Sequence, residues 1–169
     1  MLDLGLLILR GVVGLLFIGH GAQKLFGWFG GHGVAGTGQW LESMGMRPGR
    51  LWAILAGSAE FLGGLLLLVG LANPIGSVLI AAVMAAAIVP VHARNGLWVQ
   101  RNGYEYPLVN VAAATAVALA GPGAYALDPV LGLTLPVVPV LGWGFVLIVG
   151  MAAYLGFRGG ALQPSEAQN

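Results

Sequence analysis

The sequence has no cysteine and few charges, and these two shortages limit what the chain can be. Of its 169 residues, 8% are charged, against about 25% in soluble proteins. Without cysteine the chain can form no disulfide, thiol relay, thiolate metal site or iron–sulfur cluster of its own. A redox role would therefore use a bound cofactor or a partner. The formal net charge of +1 gives no attraction for polyanions, so nucleic acid is not expected as a partner.

Apolar residues make up most of the chain: 58% are hydrophobic, and the mean hydropathy is +0.88. A membrane-spanning helix needs about 20 mostly apolar residues, and the proline and glycine breaks separate five such stretches. They run from Leu4 to about Phe26, Leu51 to Leu71, Pro74 to about Ala93, about Tyr106 to the Gly121–Gly123 break, and Pro139 to Phe157. The sequence therefore predicts an all-α membrane protein, with a four-helix transmembrane bundle and a fifth C-terminal transmembrane helix.

The basic residues predict how this bundle is oriented. If five helices cross the membrane, six of the seven lie on one side, namely Lys24, Arg47, Arg50, Arg94, Arg101 and Arg158. Basic residues are enriched in cytoplasmic connections. We therefore expect a membrane protein with the N-terminus outside and the C-terminus inside. Basic residues that serve a binding site would carry no information about orientation.

Two ionisable residues, Arg10 and Glu60, fall inside predicted spans. Each costs about 2.5 to 3.5 kcal/mol on insertion, so each needs a partner or a purpose. Counted from Lys24 at the basic face, Arg10 lies about 21 Å deep, and Glu60, counted from Leu51, lies about 13 Å deep. An extended arginine reaches close to this difference of about 8 Å. An ion pair between Arg10 and Glu60 is therefore feasible.

Other polar side chains gather near the basic face. Small residues surround Glu60 on its helix, and close packing of helices in lipid uses such residues. These positions predict one shared polar pocket, whose candidate residues are Arg10, His20, Lys24, Glu60, His92, Glu105 and Tyr106. The glycine-rich and aromatic segment from Gly27 to Trp40 is expected to cover this pocket as a lid. Its alternative role is that of a flexible connection.

Structural roles remain open for each of these residues. The buried charges could only fix how the helices pack, and His20 and His92 could bond carbonyl groups near the interface. A haem between these two histidines has little support because their spacing is not diagnostic. The sequence shows no metal-ligand spacing, phosphate loop or nucleophile motif.

Four stretches in this order resemble the DoxX family of small bacterial and archaeal membrane proteins. They are LRGVVGLLFIGHGAQKLFGWFGG from Leu9, AEFLGGLLLLVGL from Ala59, VMAAAIVPVHARNG from Val83 and NGYEYPLVNVAAATAVALAGPGAYALD from Asn102. The resemblance implies a DoxX-like four-helix domain over residues 1–128, leaving 129–169 as a connection, a fifth span and a short polar tail. The recurring polar positions of the family match Arg10, His20, Gly21, Lys24, Glu60, His92, Glu105 and Tyr106 in this sequence.

The family resemblance also bears on function. The family is named after a thiosulfate:quinone oxidoreductase, and some members are associated with membrane redox complexes and oxidative-stress resistance. The resemblance implies a protein integral to the plasma membrane of a prokaryote. We therefore expect a redox-associated subunit that binds a quinone or another lipid-like ligand, with membrane lipids and other redox subunits as partners. The alternative is a non-enzymatic adaptor or lipid-handling protein in which the buried charges are structural. A transporter is less favoured because no internal repeat is evident, and the small-residue faces permit a homodimer without requiring one.

Overall fold

The computed structural model describes residues 1–161, except for the side chains of residue 90 and of residues 155–161. The α-helices of this part are α1 (Leu2–Phe26), α2 (Gly33–Ser43), α3 (Gly49–Val69), α4 (Ile75–Ala87), α5 (Glu105–Ala120), α6 (Leu127–Leu131) and α7 (Val137–Ala161). Helices α1, α3, α4, α5 and α7 occupy the five predicted apolar stretches. The all-α membrane fold expected from the sequence is confirmed. The predicted polar tail at 162–169 lies outside the described residues.

Within the described residues, three helices are long and apolar enough to cross a membrane: α1, α3 and residues Val137–Tyr154 of α7. The apolar helices α4 and α5 have 13 and 16 residues, fewer than the roughly 20 of a full crossing. Helix α4 continues as a π-helical turn at Ile88–His92 and a 3-10 turn at Ala93–Asn95. The change of helix type falls at Pro90, which has no N–H for the α-helical pattern. Helical backbone therefore extends α4 toward the predicted end of the third stretch.

Helices α1 and α3 are in close backbone contact through glycines. A Cβ added at Gly14 would lie 2.8 Å from the carbonyl oxygen of Gly64, and one at Gly21 would lie 2.5 Å from the amide nitrogen of Phe61. Two helix backbones approach this closely only where the residue at the contact has no side chain. The van der Waals contacts that result stabilise the association of helices in lipid. It also fixes the antiparallel register, in which Gly21 faces Gly57 and Phe61.

The apolar core lies where α1, α3, α4 and α5 meet. Phe17 and Ile80 are fully buried, and Val117 is almost so. The remaining buried members of this cluster are Leu6, Val13, Leu67, Met84 and Ala114. Helix α7 packs mainly beside α4, outside this core.

We expect Gly21→Ala to lower the free energy of unfolding by about 1 to 3 kcal/mol, because the new methyl group would push α3 away from α1. Gly19→Ala is the matched control, since a Cβ at Gly19 meets no atom within 4 Å. Unfolding of the purified variants by SDS in mixed micelles measures both effects. Equal stability of the two variants would contradict the close contact at Gly21.

Candidate functional site

A cavity of about 450 Å³ lies at the end of the bundle that contains Lys24. Its volume falls within the range of about 300 to 1,000 Å³ that small-molecule sites occupy. Most of the wall is apolar and comes from α1, α2, α3, α4, α5 and α7. Five polar side chains that the sequence singled out line it: His20, Lys24, Glu60, His92 and Tyr106.

An ion pair between Lys24 of α1 and Glu60 of α3 forms the charged part of the wall. The Lys24 Nζ donates to Glu60 Oε2 at 2.5 Å. The Glu60 side chain is 2% exposed, whereas that of Lys24 is 25% exposed. The carboxylate is therefore buried, and the side chain of its lysine partner is partly exposed.

His20 and Tyr106 form a second polar contact on the wall, between α1 and α5. The His20 Nε2 and the Tyr106 hydroxyl are 3.1 Å apart, and their rings meet edge to face. The ring of Phe17 packs against the other side of His20. Both groups can donate or accept a proton at the cavity.

His92 reaches the cavity from the π-helical turn after α4. Its Nδ1 lies 2.8 Å from the carbonyl oxygen of Asn102, and a carbonyl oxygen can only accept, so Nδ1 carries the proton. The neutral ring then has Nε2 as an acceptor. Asn102 has a left-handed backbone conformation with φ of 59°, which asparagine adopts more readily than most residues. The loop before α5 thus orients His92.

Glu105, by contrast, does not line the cavity. Its Oε2 accepts a hydrogen bond of 2.9 Å from the amide nitrogen of Val99. The carboxylate therefore holds the loop between α4 and α5, which carries the exposed residues Trp98 and Arg101.

Arg10 also lies away from the cavity, near the opposite end of the bundle. Its guanidinium donates to the carbonyl oxygen of Pro122 and, at 2.7 Å, to that of Tyr125. The side chain is 1% exposed. Its Nε and the Ser77 hydroxyl are buried with no hydrogen-bond partner within the protein, and both residues line a second cavity of about 10 Å³. A space of this size is close to the minimum for one water molecule.

The buried carboxylate of Asp128 completes this Arg10 cluster. It accepts hydrogen bonds from the amide nitrogens of Ala72 at 2.7 Å and Asn73 at 2.8 Å, and it interacts electrostatically with Arg10. Asp3 binds the connection between α5 and α6, since its Oδ1 accepts a hydrogen bond of 2.9 Å from the amide nitrogen of Ala124. These bonds join the turn between α3 and α4, the connection after α5 and the start of α1. Sequence reasoning did not single out Asp128, although it is the one acidic residue between Pro122 and Val138.

The ion pair between Arg10 and Glu60 that the sequence made feasible is not formed. Glu60 pairs with Lys24, and Arg10 binds carbonyl groups at the other end. Gly21 faces Gly57 and Phe61, so Glu60 is level with Gly21 and about 16 Å from Arg10 along the helix axis. The single pocket expected to hold all seven residues is also wrong, because Arg10 and Glu105 lie outside the main cavity.

The apolar core separates the main cavity from the Arg10 cluster. Along α1, Val13 and Phe17 lie between Arg10 and His20. Along α4, Ile80 lies between Ser77 and the cavity residue Met84. These side chains are buried and packed together. In the described part of the chain, the two polar regions are thus separate sites.

The glycine-rich segment after α1 covers part of the cavity with a helix instead of an irregular loop. Helix α2 packs on α3 and α1, and its residues Trp40 and Leu41 line the cavity. Gly27 and Gly33 lie at the two ends of the short connection between α1 and α2, and both have left-handed φ values, of 73° and 63°. A glycine adopts these values without strain.

The cavity can accommodate an organic molecule with a small polar group. Among the side chains that the structure describes, no three histidine, aspartate or glutamate groups come together as a metal site would require. The polar groups instead supply hydrogen-bond donors and acceptors beside an apolar wall, which suits an amphiphilic ligand.

Comparisons with known proteins give the chain its family. The DoxX family model matches residues 5–93. A protein of Bacillus subtilis (strain 168), named "Putative oxidoreductase CatD", is 31% identical over 127 residues, which cover 75% of this chain and 87% of that protein. No solved structure matches the chain. The family match covers more than half of the chain, and it agrees with the helical membrane fold: this protein belongs to the DoxX family.

Proposed function

We propose that this protein is a redox-associated membrane subunit that holds a quinone, or a similar amphiphile, in the main cavity. The observation that carries the proposal is the pairing of an apolar cavity of about 450 Å³ with Lys24, Glu60, His20 and Tyr106 on its wall. A quinone has a polar ring with two carbonyl groups and an apolar chain. The cavity offers a counterpart to both parts.

The polar groups would bind the ring and exchange protons with it. Reduction of a quinone to a quinol takes two electrons and two protons. The Lys24 ammonium and the Tyr106 hydroxyl can donate hydrogen bonds to a carbonyl oxygen, and His20 and Glu60 can pass protons to and from these groups. The electrons would come from a partner subunit. The chain's role is thus to position the quinone and to manage its protons.

The relative from Bacillus subtilis supports a redox role, since that protein is named as an oxidoreductase. The proposal also includes membrane lipids and other membrane redox subunits as partners, and a plasma-membrane location with the N-terminus outside. The arginines beyond the cavity, such as Arg94 and Arg101, are exposed. Such positions suit contact with anionic headgroups on the cytoplasmic side.

The test is mass spectrometry of lipids and quinones that co-purify with the protein in mild detergent. We expect a quinone at near one molecule per chain in the wild type, and a loss of about tenfold in Glu60→Gln, because the neutral amide gives the Lys24 ammonium no counter-charge and a weaker hydrogen bond. Leu62→Ala is the control, since Leu62 lies on the same helix but is 52% exposed. Protein without quinone, together with unchanged quinone-dependent electron transfer in Glu60→Gln membranes, would end the proposal.

One observation favours the adaptor or lipid-handling alternative. The five polar side chains on the wall already have protein partners: Lys24 with Glu60, His20 with Tyr106, and His92 with the carbonyl of Asn102. Such satisfied groups are typical of structural roles. Under this alternative, the co-purified molecule is a phospholipid or fatty acid, and redox activity does not depend on Glu60.

A further inference from the structure

The main cavity reaches the surface of the protein along α3. Leu55 lines the cavity and is 50% exposed. Trp40 of α2 also lines it and is about half exposed. The wall is therefore open sideways, on a helix that is long and apolar enough to stand in the bilayer.

The opening follows from how α3 and α4 diverge. The two helices touch where they are joined, since a Cβ added at Gly76 would lie 2.9 Å from the carbonyl oxygen of Gly63. Further along, the cavity lies between Leu55 and Ala59 of α3 and Ala86 of α4. The helices thus form a wedge that is closed at the Gly63 contact and open toward Trp52.

Helix α7 lies beside this wedge and presents one face to it. Gly144 packs close to Val78 of α4, because a Cβ there would lie 2.7 Å from that side chain. Seven residues later, Met151 lines the cavity. The ring of Tyr154 lies 6.4 Å from that of Trp52 on α3. Steps of seven and three residues keep all three on one side of a helix.

We propose that the opening between α3 and α7, lined by Trp52, Leu55, Met151 and Tyr154, binds the apolar chain of the amphiphile whose polar group sits at Lys24 and Glu60. We call this opening the portal. Its role as a binding site rests on the proposed function, which places the polar group of the ligand in the main cavity. The portal selects an amphiphile with a single acyl or isoprenoid chain, and this chain enters from the bilayer.

The volume of the cavity supports this placement of the chain. About 450 Å³ accommodates a polar ring with a short length of chain, in the range of small-ligand sites. A longer chain has to leave the cavity, and the half-exposed Leu55 marks a side where lipid is adjacent. The chain then stays in an apolar medium along its whole length, which avoids exposing it to water.

Helix α7 is also suited to be the movable wall of the portal. Within its most apolar 18 residues, 6% are buried, compared with 33% in α3. A helix that buries so little of its surface separates from the bundle at lower cost than one of the four core helices. Displacement of α7 would widen the portal without disturbing the core around Phe17.

The first test uses a fatty acid that carries a diazirine in the middle of its chain, added to the protein in phosphatidylcholine vesicles. On illumination, we expect label at Trp52, Leu55, Met151 and Tyr154 that falls about tenfold when excess unlabelled fatty acid competes, because the portal is a saturable site. Label at Val146 and Leu147, which are 57% and 69% exposed, should not fall, since these side chains face bulk lipid. Label that does not fall at Trp52 and Leu55 overturns the portal.

The second test closes the portal chemically. Because the chain has no cysteine, Trp52→Cys with Tyr154→Cys introduces the only two thiols, which a short bifunctional maleimide can join. We expect cross-linking to slow release of the labelled fatty acid about tenfold or more, as closing a lid slows ligand release. Tyr154→Cys alone, treated with the same reagent, has a single thiol and cannot form the cross-link, so its release should stay unchanged. Equal release before and after closure would overturn the portal.

These tests separate the portal from the function of the cavity. Saturable fatty-acid labelling without any co-purified quinone would contradict the quinone and retain the portal. Co-purified quinone with uniform, non-saturable labelling of α3 and α7 would retain the quinone and overturn the portal.

Discussion

Arg10→Met should lower the free energy of unfolding by about 3 kcal/mol or more, since it removes two hydrogen bonds from a charged donor, each of about 1.5 to 3 kcal/mol. The acceptors, the carbonyl oxygens of Pro122 and Tyr125, would remain without this donor. Arg10→Lys should have an intermediate effect, because one ammonium cannot replace the planar guanidinium at both carbonyls. Unfolding by SDS in mixed micelles measures the loss.

The control for this prediction is Arg101→Met, the same chemical change at an exposed position. We expect its effect to stay within about 0.5 kcal/mol. Hydrogen exchange of the amides at 121–128 should increase in Arg10→Met, because that connection loses its tie to α1. The content of co-purified ligand per folded protein should not change, since Arg10 does not line the main cavity. Loss of ligand at unchanged stability would show that Arg10 acts on the cavity and not on the fold.

Lys24→Met should also destabilise the protein by about 3 kcal/mol, the lower end of what breaking a buried ion pair costs. It leaves the carboxylate of Glu60, which is 2% exposed, without its counter-charge. Glu60→Leu should cost less, about 1 kcal/mol, because Lys24 is 25% exposed and its long side chain can reach headgroup water. The same SDS titration compares the two variants.

The double variant Lys24→Met with Glu60→Leu tests both the pair and the function. Replacing both partners by apolar groups is close to neutral for stability, so the double variant should unfold within about 1 kcal/mol of the wild type. The redox proposal expects it to be folded but without quinone. An adaptor would keep its partners. If the two single effects simply add in the double variant, Lys24 and Glu60 do not interact.

Much of the fold follows from the sequence because its signals are local. Long apolar stretches and proline or glycine breaks predicted the helices, and the cost of charge in lipid identified Arg10 and Glu60. Their positions near the basic face added His92 and Tyr106 to the same group, and the family resemblance agreed with this. Each of these signals is carried by a few neighbouring residues or by their chemical type.

The partners of the buried charges depended on geometry that depth alone does not provide. Each side chain on a helix tilts toward the N-terminus of its own helix. In antiparallel α1 and α3, Arg10 therefore points away from Glu60, while Lys24 and Glu60 point toward each other. Depths counted from Cα positions omitted this tilt. Including it would have favoured Lys24 as the partner of Glu60.

The contribution of distant segments to the cavity could not be predicted in the same way. Trp40 of α2 and Met151 of α7 line it, but they are separated by 111 positions in the sequence, and no local pattern relates them. Asp128 likewise joins a turn that lies 56 residues earlier. Such contacts result from the packing of the whole bundle.

The layer of buried apolar side chains formed by Phe17, Ile80 and Val117 limits where protons can move through the protein. Protons cross proteins along continuous files of water or titratable groups, and the described side chains at this level are tightly packed hydrocarbon. Among the described side chains, a proton that Glu60 accepts has no titratable route through this layer to the Arg10 cluster. A quinone in the main cavity, as proposed, would therefore exchange its protons at the membrane surface beside Lys24, and the packed layer would keep the protein from conducting protons across the bilayer.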